Sequence, residues 1–283
     1  MGLIASITPT TNPTATIINN TIAVLSGGNS LVFNAHPSAK GVSAECVRLI
    51  GRAVLQAGGP PDLVTAVARP TIETAQALMR HPLVRVLLVT GGPGVVREAL
   101  KTDKRAVTAG PGNPPAVVDD TANLDKAAQD IIAGASFDNN IICIDEKTTI
   151  VVRSVADELL RAMARHGARI LKEHELHKVE RLVFSSLGPP NRPGVINGKW
   201  IGKNAAVIAQ AAGVEVDGDP RLLVAEVPAE HSLVWTEQMM PVMPVVRVGT
   251  VDEAIDLAVR SEHLYRHTAS IHSTNVETIT KMA

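Results

Sequence analysis

The stretch that indicates the fold most directly is residues 84–100, which read VRVLLVTGGPGVVREAL. The aliphatic run from Val84 to Val89 predicts a buried β-strand. The Gly91-Gly92 pair predicts a tight turn, and a helix follows that opens at Pro93 or Gly94 and continues to about Leu100. A strand that passes through a glycine turn into a helix is the repeating unit of α/β proteins.

The same alternation continues on both sides of this unit. Further strands are predicted at residues 2–8, 30–33, 63–68 and 106–108, and helices at residues 14–25, 38–57 and 71–80. The helix at 38–57 is expected to turn one face to the core, formed by Val42, Cys46, Leu49, Ile50 and Val54. Because the strands are apolar on both faces and separated by helices, they predict a parallel sheet covered on both sides.

The second half of the chain predicts another α/β region. Helices are predicted at residues 124–135 and 156–166 and near Asn275, a strand at 148–152, and a further α/β stretch from Ala205. The first of these helices has an inward face made of Leu124, Ala127, Ala128, Ile131 and Ile132. The fold class is therefore α/β, with a parallel-sheet domain at residues 1–120 and a second α/β domain at 121–283.

Composition narrows the function classes. The 283 residues carry 27 Lys and Arg against 28 Asp and Glu, and only 2% are aromatic, which argues against a nucleic-acid partner. No apolar run reaches the ~20 residues that span a bilayer, so no membrane partner is expected. Two cysteines form no disulfide framework and favour a reducing compartment. Gly2 and Ser6 fit a loose myristoylation pattern, but a buried strand is the favoured interpretation.

Two cysteines offer contrasting candidates for a nucleophile. Cys143 follows a predicted helix among apolar residues, so it is either a reactive thiol or an inert buried one. Cys46 lies on the predicted core face of its helix and is interpreted as packing.

Several loops follow predicted strands, where ligands of parallel sheets gather. In the first, residues 8–13, Asn12 either caps the next helix or donates its amide to a reacting oxygen. The turn at 90–94 suits a phosphate or is a plain tight turn, and the loop at 109–115 is rigid. His174 and His177 lie one helical turn apart, but a solvated helix face is favoured over a metal site, and no metal is predicted.

Taken in order, five segments resemble the aldehyde dehydrogenase superfamily, specifically its CoA-acylating branch. They are residues 7–13 (ITPTTNP), 33–40 (FNAHPSAK), 90–94 (TGGPG), 137–143 (FDNNIIC) and 236–242 (TEQMMPV). The resemblance implies that Cys143 is the nucleophile and that Asn12 and the Cys143 backbone N–H help to hold the oxyanion. These donors are expected to favour the thiolate of Cys143. The implied cofactor-binding residues are Thr8, Pro9, Thr10, Thr11, His36, Pro37, Thr90, Gly91, Gly92, Gly110 and Glu237. Glu237 is expected on a strand, as the carboxylate that binds the nicotinamide ribose.

The resemblance also implies an activity. A short-chain aldehyde is oxidised with NAD and coenzyme A to an acyl-CoA through a cysteine thioester, in a Rossmann-like cofactor domain followed by a catalytic domain. It further implies a cytoplasmic homo-oligomer in the lumen of a bacterial microcompartment, with shell or enzyme partners. Both chain ends are expected to be cut.

Two departures keep alternatives open. Hydrolytic members carry a glutamate where this chain has Ala109, so hydrolysis would lack its general base unless Asp138 or Glu237 supplies one, with Asp138 the more serious candidate. His36 replaces a ribose-contacting lysine of many relatives. The alternatives are therefore a hydrolytic dehydrogenase, or a truncated and inactive nucleotide-binding or assembly member.

Overall fold

The alternation of aliphatic and amphipathic segments produces a five-stranded parallel sheet in the first part of the chain. A computed structural model describes residues 2–283, with one compact unit ending at Pro111 and another beginning at Gly112. The first unit consists of β1 (Leu3–Thr8), α1 (Pro13–Ser26), β2 (Ser30–Ala35), α2 (Lys40–Gln56), β3 (Val64–Ala66), α3 (Ile72–Arg80), β4 (Val84–Thr90), α4 (Pro93–Leu100) and β5 (Arg105–Ala109).

The strand order of this sheet is β3-β2-β1-β4-β5, and every neighbouring pair is parallel. The chain winds outward from β1 in one direction and then returns to its other side at β4. Such a reversal leaves a crevice at the carboxyl ends of the two central strands, where ligands of α/β proteins bind. Phe33, Ile17 and Leu87 are fully buried around the sheet.

The predicted core face of α2 is wrong in part. Cys46 is buried, as expected, but the exposed fractions of Val42 and Leu49 are 51% and 48%. The face that packs on the sheet is rotated toward Ser43 and Val47, which lie on the same side as Cys46. The helix also begins later than predicted, because residues 37–39 form a 3₁₀ turn in which Nδ1 of His36 accepts a hydrogen bond from the Ser38 N–H.

The second unit is built on a six-stranded parallel sheet with the order β13-β6-β7-β12-β11-β8. Its elements are β6 (Pro115–Val118), α5 (Leu124–Ala135), β7 (Thr148–Val152), α6 (Arg153–Arg165), β8 (Ala168–Ile170), α7 (Glu173–Val183), β9 (Phe184–Ser186), β10 (Val195–Ile196), α8 (Ala205–Ala211), β11 (Leu222–Glu226), β12 (Val242–Val248), α9 (Val251–Ser261), β13 (Ser270–His272) and α10 (Val276–Met282). Strands β9 and β10 form a separate antiparallel pair.

Sequence periodicity predicted this unit well where helices are amphipathic. All five residues of the predicted inward face of α5 are buried. Helix α6, in contrast, begins at Arg153 rather than Ala156, because it follows β7 directly and has no side-chain cap that would mark its start. The predicted α/β class with parallel sheets is confirmed. Within residues 2–283, no helix has the length and apolar character needed to cross a bilayer.

Candidate active site

A cavity of about 620 Å³ lies at the carboxyl ends of β1, β2 and β4 in the first unit. Seven of the predicted cofactor-binding residues line it, namely Thr8, Pro9, His36, Pro37, Thr90, Gly91 and Gly92. Thr10, Thr11 and Gly110 are not among its lining residues. The volume falls in the range of small-molecule and cofactor sites.

The chemistry of this cavity fits a dinucleotide. Its walls are largely apolar, with Ile7, Ile72 and Met79 among them. Thr8 is 2% exposed, and its Oγ1 has no hydrogen-bond partner among the described residues. A buried hydroxyl without a partner is costly and favours a polar ligand beside it. Helix α4 begins in the same cavity with Gly92 as an N-cap that has no side chain to bond the first N–H groups, which leaves them for an anion such as a phosphate.

Asn12 is the N-cap residue of α1 by position, but its side chain makes no capping hydrogen bond. The backbone oxygen of Asn12 accepts a hydrogen bond of 2.6 Å from the Thr16 hydroxyl. The Asn12 side chain therefore does not cap α1, which was one of its two predicted roles. Its role as an oxyanion donor stays a prediction.

The segment that leads to Cys143 has an unusual backbone. After α5, Asp138, Asn139 and Asn140 have φ angles of 44°, 55° and 62°, so three consecutive residues lie in the left-handed region. Residues other than glycine rarely adopt this region, and such conformations cluster at functional sites. Hydrogen bonds hold the segment: the Asn140 amide donates to the carbonyl oxygens of Ala135 at 2.8 Å and Glu146 at 2.9 Å.

Lys147 is the cation of this site and is only 1% exposed. Its Nζ donates to the backbone oxygen and Oδ1 of Asn140, each at 2.7 Å, and to the Ile142 oxygen at 2.9 Å. A buried ammonium needs such partners because burial removes its hydration. The lysine therefore binds backbone oxygens of the residues that precede Cys143 in the sequence.

Glu237 does not lie on a strand, contrary to the sequence prediction. It lies in the loop between β11 and β12, because the chain becomes extended only from Val242. Its Oε1 accepts the N–H of Gly112 at 3.3 Å. A carboxylate thus contacts the 109–115 loop, although the loop itself contains none. No feature of the described residues tests whether Glu237 binds a ribose.

Gly112 packs against the nucleophile segment. A Cβ added there would lie 2.5 Å from the carbonyl oxygen of Cys143 and 3.3 Å from Cγ of His267. Real Cβ atoms do not approach backbone oxygen this closely, so the position requires glycine. Gly112, Cys143, Glu237, Lys147 and His267 therefore form one site, which we call the thiol site.

The electrostatics of the thiol site correct a sequence prediction. The segment was expected to favour the Cys143 thiolate, yet burial and the charge of Glu237 raise the pKa of this thiol. The Cys143 N–H and the Lys147 ammonium act in the opposite direction but do not prevail. Glu237, rather than Asp138, is the carboxylate that acts on the thiol most strongly.

Neighbouring groups respond to the same burial. Burial raises the pKa of Asp145 to about 6 and lowers that of Lys147 to about 8. The pKa of His267 is lowered by burial and by the Lys147 charge. Sequence reasoning missed Gly112 and His267 because their contacts join distant segments. It missed Lys147 because the oxygens that this lysine binds come together only in the left-handed backbone before Cys143.

The two histidines considered for a metal have other surroundings. His174 is exposed on α7, and Nδ1 of His177 lies 2.9 Å from Oε2 of Glu180 on the same helix. Glu180 is buried and also contacts Nε2 of His231. The carboxylate thus ties α7 to the loop that carries Glu237.

Alkylation should distinguish the two thiols. We expect limiting iodoacetamide to label Cys143 before Cys46, because Cys143 is partly exposed whereas Cys46 is buried. Since burial and the Glu237 charge raise the pKa of Cys143 above that of an ordinary thiol, the labelling rate should keep rising with pH through the alkaline range. Peptide mapping by mass spectrometry measures both rates, and faster labelling of folded Cys46 would contradict the assignment.

Comparison with known proteins agrees with the predicted fold class and family resemblance. The model of the aldehyde dehydrogenase family matches residues 1–180. The acetaldehyde dehydrogenase (acetylating) EutE of Salmonella typhimurium is 50% identical over 283 residues, which are all of this chain and 60% of that protein. The chain thus spans about three fifths of the length of this curated relative.

Solved structures of aldehyde dehydrogenases also resemble this chain in fold and sequence. The propionaldehyde dehydrogenase of Rhodopseudomonas palustris, with bound CoA and an acylated cysteine, is 47% identical with a TM-score of 0.92, over 100% of this chain and 63% of that one. A propionaldehyde dehydrogenase from the fucose utilisation bacterial microcompartment of Clostridium phytofermentans is 41% identical with a TM-score of 0.94, over 100% and 64% of the two chains. The chain belongs to the aldehyde dehydrogenase family.

Proposed function

We propose that the protein is a CoA-acylating aldehyde dehydrogenase that converts a short-chain aldehyde, NAD⁺ and coenzyme A to an acyl-CoA and NADH. The observation that carries this proposal is the thiol site, in which Cys143 lies partly exposed beside a buried lysine and a carboxylate. The acylated cysteine and bound CoA of the R. palustris relative support the same chemistry.

The chain's own residues supply the covalent steps. The Cys143 thiolate attacks the aldehyde carbon, and the bond that forms moves the carbonyl electrons onto oxygen. A bound NAD⁺ would supply the hydride acceptor: the former aldehyde carbon loses its hydride as the oxyanion re-forms the C=O bond, and Cys143 then carries a thioester. Attack on this thioester by the sulfur of CoA, which gives up its proton, would form the acyl-CoA and release the Cys143 thiolate. Asn12 is proposed as an oxyanion donor on the family resemblance alone.

The absence of a carboxylate at Ala109 favours CoA over water as acyl acceptor. Water needs a general base, which contributes typically ~10²–10⁴-fold, whereas a thiol is already partly ionised at neutral pH. Glu237 acts on Cys143 more strongly than Asp145 does, so it is the carboxylate that would support hydrolysis. Measuring acyl-CoA and free acid separately in the intact gene product distinguishes the two outcomes.

We assign dinucleotide binding to the cavity of the first unit and the covalent chemistry to the second, with the domain boundary after residue 120 as a sequence prediction. The microcompartment origin of the C. phytofermentans relative supports a location in a microcompartment lumen. Assembly as a homo-oligomer with shell or enzyme partners belongs to the same proposal.

Cofactor binding is expected to raise the melting temperature. At 100 times Kd, a ligand that binds only the native state stabilises it by about 2.7 kcal/mol. Thr8→Val should weaken the effect of NAD⁺, because it removes the unpartnered hydroxyl of the cavity. Thr21→Val is the matched control, since Thr21 is also buried with an unpartnered Oγ1 but lies on α1 outside the cavity lining. The cofactor assignment is wrong if millimolar NAD⁺ and NADH leave the melting curve unchanged and calorimetry records no heat.

A further inference from the structure

The ammonium group of Lys147, the residue directly before β7, uses all three of its hydrogen-bond donors within the protein. Its ammonium group donates three hydrogen bonds, all to oxygens of Asn140 and Ile142. Three donors therefore meet three acceptors, and the residue is 1% exposed, so water cannot take the place of these partners. This complete set fixes the ammonium in one position.

The oxygens that Lys147 binds belong to the left-handed segment. Asn140 is the last of the three residues with positive φ, and Ile142 directly precedes Cys143. A backbone in this region turns its carbonyl groups away from regular partners, so its conformation persists only where other contacts stabilise it. The three hydrogen bonds of Lys147 are such contacts.

The backbone of Lys147 joins the same region to two other loops. Its N–H donates to the Pro114 oxygen at 2.8 Å, and its oxygen accepts from Nε2 of Gln238 at 3.2 Å. Gln238 follows Glu237, and Pro114 lies two residues after Gly112. One residue therefore connects the segments that carry Gly112, Cys143 and Glu237.

We propose that Lys147 is the positioning residue of Cys143: its ammonium holds the nucleophile segment in place and opposes the Glu237 carboxylate, so that the thiolate forms more readily. The role in catalysis rests on the proposed function, whereas the effect on the thiol does not. Lys147 touches neither substrate nor cofactor in this account and acts through Cys143.

The charges around Lys147 agree with this role. The pKa of Cys143 is lowered by Lys147 and raised by Glu237 and Asp145. Burial lowers the pKa of Lys147 itself to about 8, against the opposing charges of Glu237, Asp145, Cys143 and Glu146. Since the ammonium is charged below that pH, its stabilisation of the thiolate is present near neutrality and declines as the pH rises through about 8. His267 adds no opposing cation near neutrality, because burial and the Lys147 charge both lower its pKa and so favour the neutral imidazole.

The test measures alkylation of Cys143 against pH in a Cys46→Ala background, where iodoacetamide finds one thiol. Lys147→Met retains the length of the side chain but not its charge, and should lower the rate several-fold at neutral pH, where the ammonium is charged, with the difference narrowing as the pH rises through about 8. Lys147→Arg keeps a permanent cation and should leave the rate at neutral pH at or above that of the parent. Lys126→Met is the control, because Lys126 is an exposed lysine paired with Asp130.

This experiment tests the effect of Lys147 on the thiol even if the protein has no dehydrogenase activity, because alkylation needs neither aldehyde, NAD⁺ nor CoA. Circular dichroism and melting curves establish that each variant is folded. The proposal is overturned if folded Lys147→Met has the parent profile, or if Lys147→Arg lowers the rate at neutral pH as far as Lys147→Met does. If Lys147→Met fails to fold, Lys147→Arg decides alone: a rate at neutral pH well below the parent's rejects the electrostatic role. A chain that passes this test but forms no acyl-CoA would reject the proposed function and leave the role of Lys147 intact.

Discussion

Replacing Cys143 with alanine is expected to abolish acyl-CoA and NADH formation in the intact gene product. Removing a covalent nucleophile lowers turnover by roughly 10⁴- to 10⁶-fold, because no remaining group can form the bond to the aldehyde carbon. The change should leave cofactor binding intact, because the cavity at β1, β2 and β4 is lined entirely by residues of the first unit. Thermal stabilisation by NAD⁺ would therefore persist while activity is lost.

Cys46→Ala is the matched control for this experiment. Cys46 is buried on α2 among aliphatic residues of the first unit, and burial raises the pKa of its thiol. We expect this variant to keep its activity and to lose a small amount of stability at most. Loss of activity in Cys46→Ala, with activity retained in Cys143→Ala, would reverse the assignment of the nucleophile.

Gly112→Ala is expected to have the next largest effect. The added Cβ would lie 2.5 Å from the backbone oxygen of Cys143, so the nucleophile segment or the 112–115 loop must move. Overpacking of this kind costs about 1–3 kcal/mol of stability. A shift near 1 Å at a reacting group lowers turnover by about 10²-fold, and we expect kcat to fall by that amount.

Gly198→Ala is the control for this second prediction. Gly198 lies in the same unit, and a Cβ added there meets no atom within 4 Å. Steady-state kinetics, melting curves and the Cys143 alkylation rate are compared between the two variants. Full activity and an unchanged alkylation rate in Gly112→Ala would show that the close packing at Cys143 has no bearing on its chemistry.

The parts of the fold that sequence predicts are those governed by local periodicity. The strand and glycine turn at 84–92 and the inward face of α5 follow from aliphatic runs and helical spacing, and the structure agrees with them. Val42 and Leu49 show where that reasoning stops. Helical spacing identifies an apolar stripe but cannot decide which of two adjacent faces a sheet will cover, and here the face of Ser43 and Val47 is covered.

The candidate site was likewise predicted only in part from the sequence. Cys143 is found from the order of short motifs, but its electrostatic environment depends on Glu237 and Lys147. Glu237 contacts Gly112 across 125 residues of sequence, and no local pattern reports such a contact. Lys147 resembles an ordinary polar residue before a strand, and its burial becomes understandable only from the left-handed backbone whose oxygens it binds. The expectation of a favoured thiolate failed for this reason.

The most direct test of the account is a rapid-mixing measurement of NADH with aldehyde and NAD⁺ in the absence of CoA, using the intact gene product. We predict a burst of one NADH per Cys143, which then stalls because the thioester has no efficient acceptor, followed by steady turnover with stoichiometric acyl-CoA when CoA is added. Cys143→Ala should give no burst. Steady release of free acid without CoA, at a rate equal to the CoA-dependent one, would contradict the account and identify water as the acyl acceptor.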